Sequence, residues 1–207
     1  MTTTPTDTLT QYTYDVISRR YRNNNTGRYV AATEIRSAVD QVIDTEETGF
    51  TSAASQLLAG QITLADFQRQ TAANIKTLHL ATGLAANGGV NNMGPDDIAH
   101  ISDLIDRQYQ FLRNMGNDIE TGKQPMDGRL LARVRLYAHA ARGTYEDVVR
   151  RLARIGGALQ EKRVLGVADH CIGCLEEYGK GWQPIGTLRD IGDTPCRTLC
   201  HCRFIFK

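Results

Sequence analysis

The chain has 207 residues, of which 41% are hydrophobic and 23% charged, with a formal net charge of +1. This is the profile of a soluble protein with enough apolar residues for one good core and one or two domains, and it excludes collagen-like, low-complexity and strongly polyanionic or polycationic chains. Residues 1–30 lack a basic start followed by an apolar stretch, and no run approaches the roughly 18 apolar residues that span a bilayer, so a cytosolic, unprocessed protein without a membrane partner is expected.

Residues 1–10 are rich in Thr and nearly free of apolar side chains, which predicts a flexible arm. Between residues 12 and 30, Tyr12, Tyr14, Tyr21 and Tyr29 alternate with polar residues around the turn-forming run Asn23, Asn24, Asn25 and Gly27, predicting a short hairpin or extended clasp. From Thr33 the apolar period becomes helical. Ile35, Val39, Val42, Ile43, Phe50, Ala54 and Leu57 carry a first helix to Gly60. Thr63 and Asp66 form a capping-box pattern for a second, which runs through Phe67, Ile75, Leu78 and Leu84 to Gly88-Gly89. Pro95 suits the first turn of a third, through Ile98, Ile101, Ile105, Tyr109 and Leu112 to near Gly122.

The fourth helix has the clearest pattern. From Leu130 to Ile155 the apolar residues fall in one sector of roughly 120°, while Arg129, Arg133, Arg135, Arg142, Arg150, Arg151 and Arg154 fall outside it. Gly143 lies on the polar side, and Gly156-Gly157 ends the helix. A charged connector, Gln160 to Arg163, then leads to the tail. Lys and Arg against Asp and Glu number 6 against 13 over residues 33–128 and 9 against 3 over residues 129–163. Either two solvated faces differ in sign, or the contrast orients the protein toward a charged partner, with DNA phosphates meeting Arg129, Arg133, Arg150, Arg151 and Arg154.

All five cysteines lie within residues 171–202. Cys171-x-x-Cys174 is followed by a 21-residue spacer and Cys196-x-x-x-Cys200-x-Cys202, with His170 and His201 adjacent. The first pair can present two thiolates to one point, and the second group can close a tetrahedron with Zn–S bonds of about 2.3 Å. An odd count and the lack of an export signal argue against a disulfide framework. The helical context argues against thioredoxin-like redox chemistry at Cys171 and Cys174. Zn2+ is therefore the predicted cofactor, structural because thiols fill every position, and it supplies much of the folding energy of a tail of about 40 residues. Cys171 and Cys174 are the leading ligands. Cys200 and Cys202 share a face if Cys200 to Phe206 is a strand, Cys196 is a fifth candidate, and His170 and His201 are second choices. Trp182, Ile185 and Leu188 are expected to pack over the site.

The predicted fold class is mainly α: about four helices, then a small zinc-stapled C-terminal module, α+β or a β-hairpin. The predicted domains are an arm and clasp (1–32), a helical domain (33–163) and a cysteine tail (164–207). No enzyme is expected. A zinc deaminase needs His-x-Glu before its cysteine pair, and none of the five histidines has Glu two residues on. His79, His100 and His139 stand singly, Asp103 with Asp106 reads as a solvated face, and a phosphate loop is absent.

Asp169-His170-Cys171-x-x-Cys174, then Gly181-Trp182-Gln183-Pro184-Ile185-Gly186-Thr187, then Cys196-x-x-x-Cys200-His201-Cys202 resembles the C-terminal signature of tailed-phage head-morphogenesis proteins, the minor head proteins of the Mu-like class. The likeness is specific over the final 38 residues and loose over the helical body. It departs from the class at Arg197, where a histidine is usual, with Cys196 the nearest substitute. The resemblance implies a minor capsid or head-assembly protein, in the virion and, during assembly, in the host cytoplasm. It also implies an oligomeric setting, with portal, capsid or neck proteins as partners and packaged DNA nearby. The alternative is a zinc-containing nucleic-acid-binding module that uses the Arg-rich helix.

Overall fold

The computed structural model describes residues 11–207, so the arm predicted for residues 1–10 lies outside the described residues. The fold is mainly α, with four long helices and a small C-terminal α+β module. It begins with a three-stranded antiparallel sheet, β1 (Tyr12–Asp15), β2 (Arg20–Asn23) and β3 (Tyr29–Val30), in the order β1-β2-β3. This sheet stands where the short hairpin or extended clasp is expected; Tyr14 and Tyr21 belong to the main core, Tyr12 packs against it, and Tyr29 is exposed. Tyr14 and Tyr21 are buried, and the Tyr21 hydroxyl donates to the Ala86 carbonyl at 2.9 Å.

The helices are α1 (Ala32–Leu58), α2 (Leu64–Asn87), α3 (Pro95–Glu120) and α4 (Gly128–Ile155). Their ends follow the local signals. The Thr63 hydroxyl accepts from the Asp66 N–H, and the Asp66 carboxylate accepts from the Thr63 N–H, closing the capping box. Gly88 ends α2 with φ of +72°, and Asp127 caps α4 by accepting from the Arg129 N–H at 2.8 Å. Helices α1, α2 and α4 pack against one another, and α3 covers α2 while touching α4 only lightly. Ile35, Phe50, Phe67, Ile75, Leu78, Ile101, Met115, Leu130 and Tyr145 fill the core. Ile98 and Ile155, predicted on apolar faces, are more than half exposed. Each lies within a turn of its helix end, where the face runs past the neighbouring helices.

The charge contrast between the middle of the chain and α4 is largely internal pairing. Arg133 reaches Asp118 at 2.8 Å, Arg135 reaches Glu47 at 3.1 Å, Arg142 reaches Asp40 at 2.7 Å, and Arg151 pairs with Asp97. Arg142 and Arg150 are buried, so α4 does not carry a wholly outer basic face. Of the five arginines predicted to meet DNA, Arg129, Arg133, Arg150 and Arg151 each hold a carboxylate, and Arg154 is exposed.

Residues Gln160 to Arg163 are not a connector. They form β4 (Gln160–Val164), the central strand of a second antiparallel sheet between β5 (Gln183–Pro184) and β6 (Arg203–Phe206), in the order β5-β4-β6. The strand was illegible because its inward residues are Glu161 and Arg163, both 0% exposed, in place of the apolar side chains that mark alternation. Glu161 accepts from Arg150 Nε at 2.6 Å and from the Leu188 N–H at 3.0 Å. Arg163 donates to the Arg189 carbonyl. Both guanidiniums lie over the Phe204 ring, at 4.5 Å for Arg150 and 5.0 Å for Arg163.

Candidate metal centre

The module hangs on β4 and is pinned to the helical body at three points. Glu161 pairs with Arg150 of α4, the Phe204 N–H of β6 donates to Glu146 of α4 at 3.2 Å, and Phe206 packs against both hydrophobic clusters. Glu146 also accepts from Arg36 of α1 at 2.5 Å, so one buried carboxylate joins α1, α4 and β6. A small core of Leu188, Ile191 and Phe204 lies against Cys174, Cys200 and Cys202. Trp182 does not plug it, contrary to expectation. Its ring is half-buried beneath Lys207 Nζ at 4.6 Å, and Ile185 also lies outside this core, whereas Leu188 is in it as predicted.

The structure brings all five cysteines together as free thiols. Cys171 is the N-cap of the short helix α5 (Ile172–Gly179), and Cys174 lies in its first turn, so the helix start aims both thiols to one side. Cys196 and Cys200 flank a single 3-10 turn, Arg197–Leu199, and Cys202 directly precedes β6. That strand starts at Arg203, so the condition under which Cys200 and Cys202 would share one strand face is not met. Two overlapping groups result, Cys171 with Cys174 and Cys196, and Cys174 with Cys200 and Cys202. Within each, all Sγ atoms lie within 4.8 Å of one another. Cys174 Sγ is 3.5 Å from Cys196 Sγ and 3.6 Å from Cys200 Sγ. A tetrahedral ion with metal–sulfur bonds near 2.3 Å has sulfur–sulfur edges of about 3.8 Å, close to these two separations, so the cluster could hold a metal ion.

The histidines separate. His170 Nε2 lies 3.0 Å from the Gly166 carbonyl, and Nδ1 lies 3.9 Å from Cys202 Sγ. His201 is exposed, and neither histidine belongs to a thiol group. Sequence reasoning missed two neighbours. The Thr194 hydroxyl is 3.4 Å from Cys174 Sγ and 3.2 Å from Cys196 Sγ, and Arg163 Nη1 is 4.0 Å from Cys200 Sγ. Thr194-Pro195-Cys196 carries a weak turn signal, whereas nothing local marks Arg163. Gly166 was missed as well. A Cβ there would sit 2.1 Å from the His201 carbonyl oxygen, so the bare backbone lets the loop after β4 press on the segment between Cys200 and Cys202.

Crowding divides the thiols. Burial raises Cys171, but hydrogen bonds with Cys174 and Cys196 outweigh it and bring it down to about 6, while the Cys202 thiol draws Cys200 down to about 4. Burial pushes Cys174 up and Cys196 up to about 12, and hydrogen bonding with Cys200 raises Cys202. Five sulfurs at this spacing cannot all ionise without a cation among them, and a metal ion held there would supply that charge.

The remaining histidines have structural partners. His79 Nδ1 lies 2.7 Å from the Thr144 hydroxyl between α2 and α4, His100 pairs with Asp147 at 2.6 Å, and His139 pairs with Glu47 at 3.0 Å. Asp103 and Asp106 are exposed. Among the described residues no helix is long and apolar enough to cross a membrane. Comparisons with protein-family models, with curated proteins and with solved structures find no match to this chain.

Proposed function

We propose that the chain is a structural protein of a bacteriophage virion, a minor capsid or head-morphogenesis component, whose cysteine module is stapled by Zn2+. The observation that carries this reading is the convergence of Cys171, Cys174, Cys196, Cys200 and Cys202, the residues of the phage-like signature, into one thiol cluster. A thiolate-filled site has no position for a reacting water, so the metal serves folding and docking. Zinc fits best among metals because a thiol-rich cluster with sulfur–sulfur separations near tetrahedral spacing suits a borderline-soft ion without redox chemistry. Ile172 and Leu175 of α5 and Leu199 beside Cys200 are exposed apolar side chains on this module, and they support its use as a contact surface for portal, capsid or neck proteins.

The nucleic-acid reading gains less support. A phosphate approaching Arg129, Arg133, Arg150 or Arg151 has to displace an Asp or Glu already in place. Mass spectrometry of purified particles of the encoding phage tests the assembly reading. Peptides from residues 129–163 at a few copies per particle are expected, and their absence from particles, with the protein abundant in the lysate, contradicts it.

A further inference from the structure

The five thiols gather in two groups that share Cys174, and His170 Nδ1 lies 3.9 Å from Cys202 of the second, so the module offers more ligand atoms than one tetrahedral ion uses. Resting on the reading of the cluster as a zinc centre, we propose that it holds two ions. The thiolates of Cys174 and Cys200 bridge them, Cys171 and Cys196 complete one tetrahedron, and Cys202 and His170 complete the other.

Three observations carry this. Cys174 belongs to both thiol groups, and its Sγ is 3.6 Å from that of Cys200, a separation that lets both sulfurs touch the same two ions. A thiolate has lone pairs for two metals. Next, a backbone carbonyl only accepts hydrogen bonds, so the 3.0 Å contact with Gly166 puts the imidazole proton on Nε2. Nδ1 is left with its lone pair, 3.9 Å from Cys202 Sγ. Metal-binding histidines are commonly held this way, one ring nitrogen donating to a backbone carbonyl and the other ligating. A single ion bound by Cys171, Cys174, Cys196 and Cys200 leaves both this oriented imidazole and the Cys202 thiol, 2% exposed, without a role.

Third, the charges balance. On binding, the five thiols release their protons to solvent, and five thiolates with two divalent ions sum to −1. Arg163, 0% exposed, sets Nη1 4.0 Å from the bridging Cys200 sulfur and offsets that charge. The same Arg beside one ion, four thiolates and a further buried thiol leaves a net negative charge in a core sealed by Leu188, Ile191 and Phe204.

The full-length protein is purified with zinc present and dialysed against metal-free buffer, and its ions are counted by native mass spectrometry and elemental analysis. Two per chain are expected, falling to one in His170→Ala and in Cys202→Ser. Because a variant can fail to fold, the wild-type chain is also loaded with 113Cd, which should give two resonances coupled through shared thiolates. One ion per chain with a single cadmium resonance overturns the two-ion centre and leaves the zinc staple standing. No retained metal overturns both.

Discussion

Replacing Glu161 by Leu tests whether the cysteine module is built onto the helical body. Glu161 is fully buried and accepts from Arg150 Nε, Arg150 Nη2 and the Leu188 N–H. Its loss leaves a buried guanidinium and a backbone donor short of acceptors. Removing one partner of a buried ion pair costs about 3–5 kcal/mol. Arg150 keeps Asp190 at 2.5 Å, but that carboxylate is half exposed, so the lower end applies, about 3 kcal/mol. For a chain of this length, that lowers Tm by about 6–12 °C. Thermal unfolding is followed with zinc held in constant excess, since metal adds stability by mass action. The double variant Glu161→Leu with Arg150→Met removes the stranded charge and should recover at least half of the loss. A drop under about 2 °C for the single variant, or a double variant worse than the single, would refute the idea that this pair joins α4 to β4.

Gly88→Ala should cost more than about 2 kcal/mol, because Gly88 has φ of +72° and a Cβ would lie 1.9 Å from the Tyr14 backbone nitrogen. Gly60→Ala, with φ of +67° and open space around it, should cost only about 1 kcal/mol in the same denaturant titration, and equal losses would contradict the contact between β1 and the end of α2. Gly166→Ala should lower zinc affinity about 10-fold or more in chelator competition, by displacing the His201 carbonyl between two ligands, and unchanged affinity counts against that close approach. Burial lowers the His79 pKa from 6.5 to about 4. Between these values only the unfolded chain takes up the proton. His79 therefore stabilises the fold fully above pH 6.5, loses that contribution as pH falls, and levels off below pH 4, about 3 kcal/mol in all. His79→Gln should flatten this part of the stability profile, and an identical slope in the variant shows that other groups produce it.

The elements legible in the sequence are those whose signals are local. Thr63 with Asp66, Pro95, and Gly88 set helix ends through neighbouring backbone groups, and the structure places them there. The cysteines were legible as a cluster because thiols gathered in one short segment have few other uses. What stayed hidden depends on pairing across the chain. Glu161 and Arg163 read as solvent-facing until Arg150 and the Arg189 carbonyl are brought to them from other elements. The arginines of α4 looked like a basic face because Asp40, Glu47, Asp97 and Asp118 lie 15 to 102 residues away in sequence and on other helices. Trp182 reads as the plug of the small core, yet its ring lies beneath Lys207 Nζ and the core is left to Phe204 of β6.

The five clustered thiols are expected to bind metal. The most direct test is elemental analysis of the full chain purified without chelator, combined with thiol titration before and after metal removal. Bound zinc is expected, with thiols that are unreactive until a chelator is added and that then react while the far-UV helical signal of α1 to α4 persists. A chain that carries no metal, with five thiols reacting at once in the folded protein, would contradict this expectation.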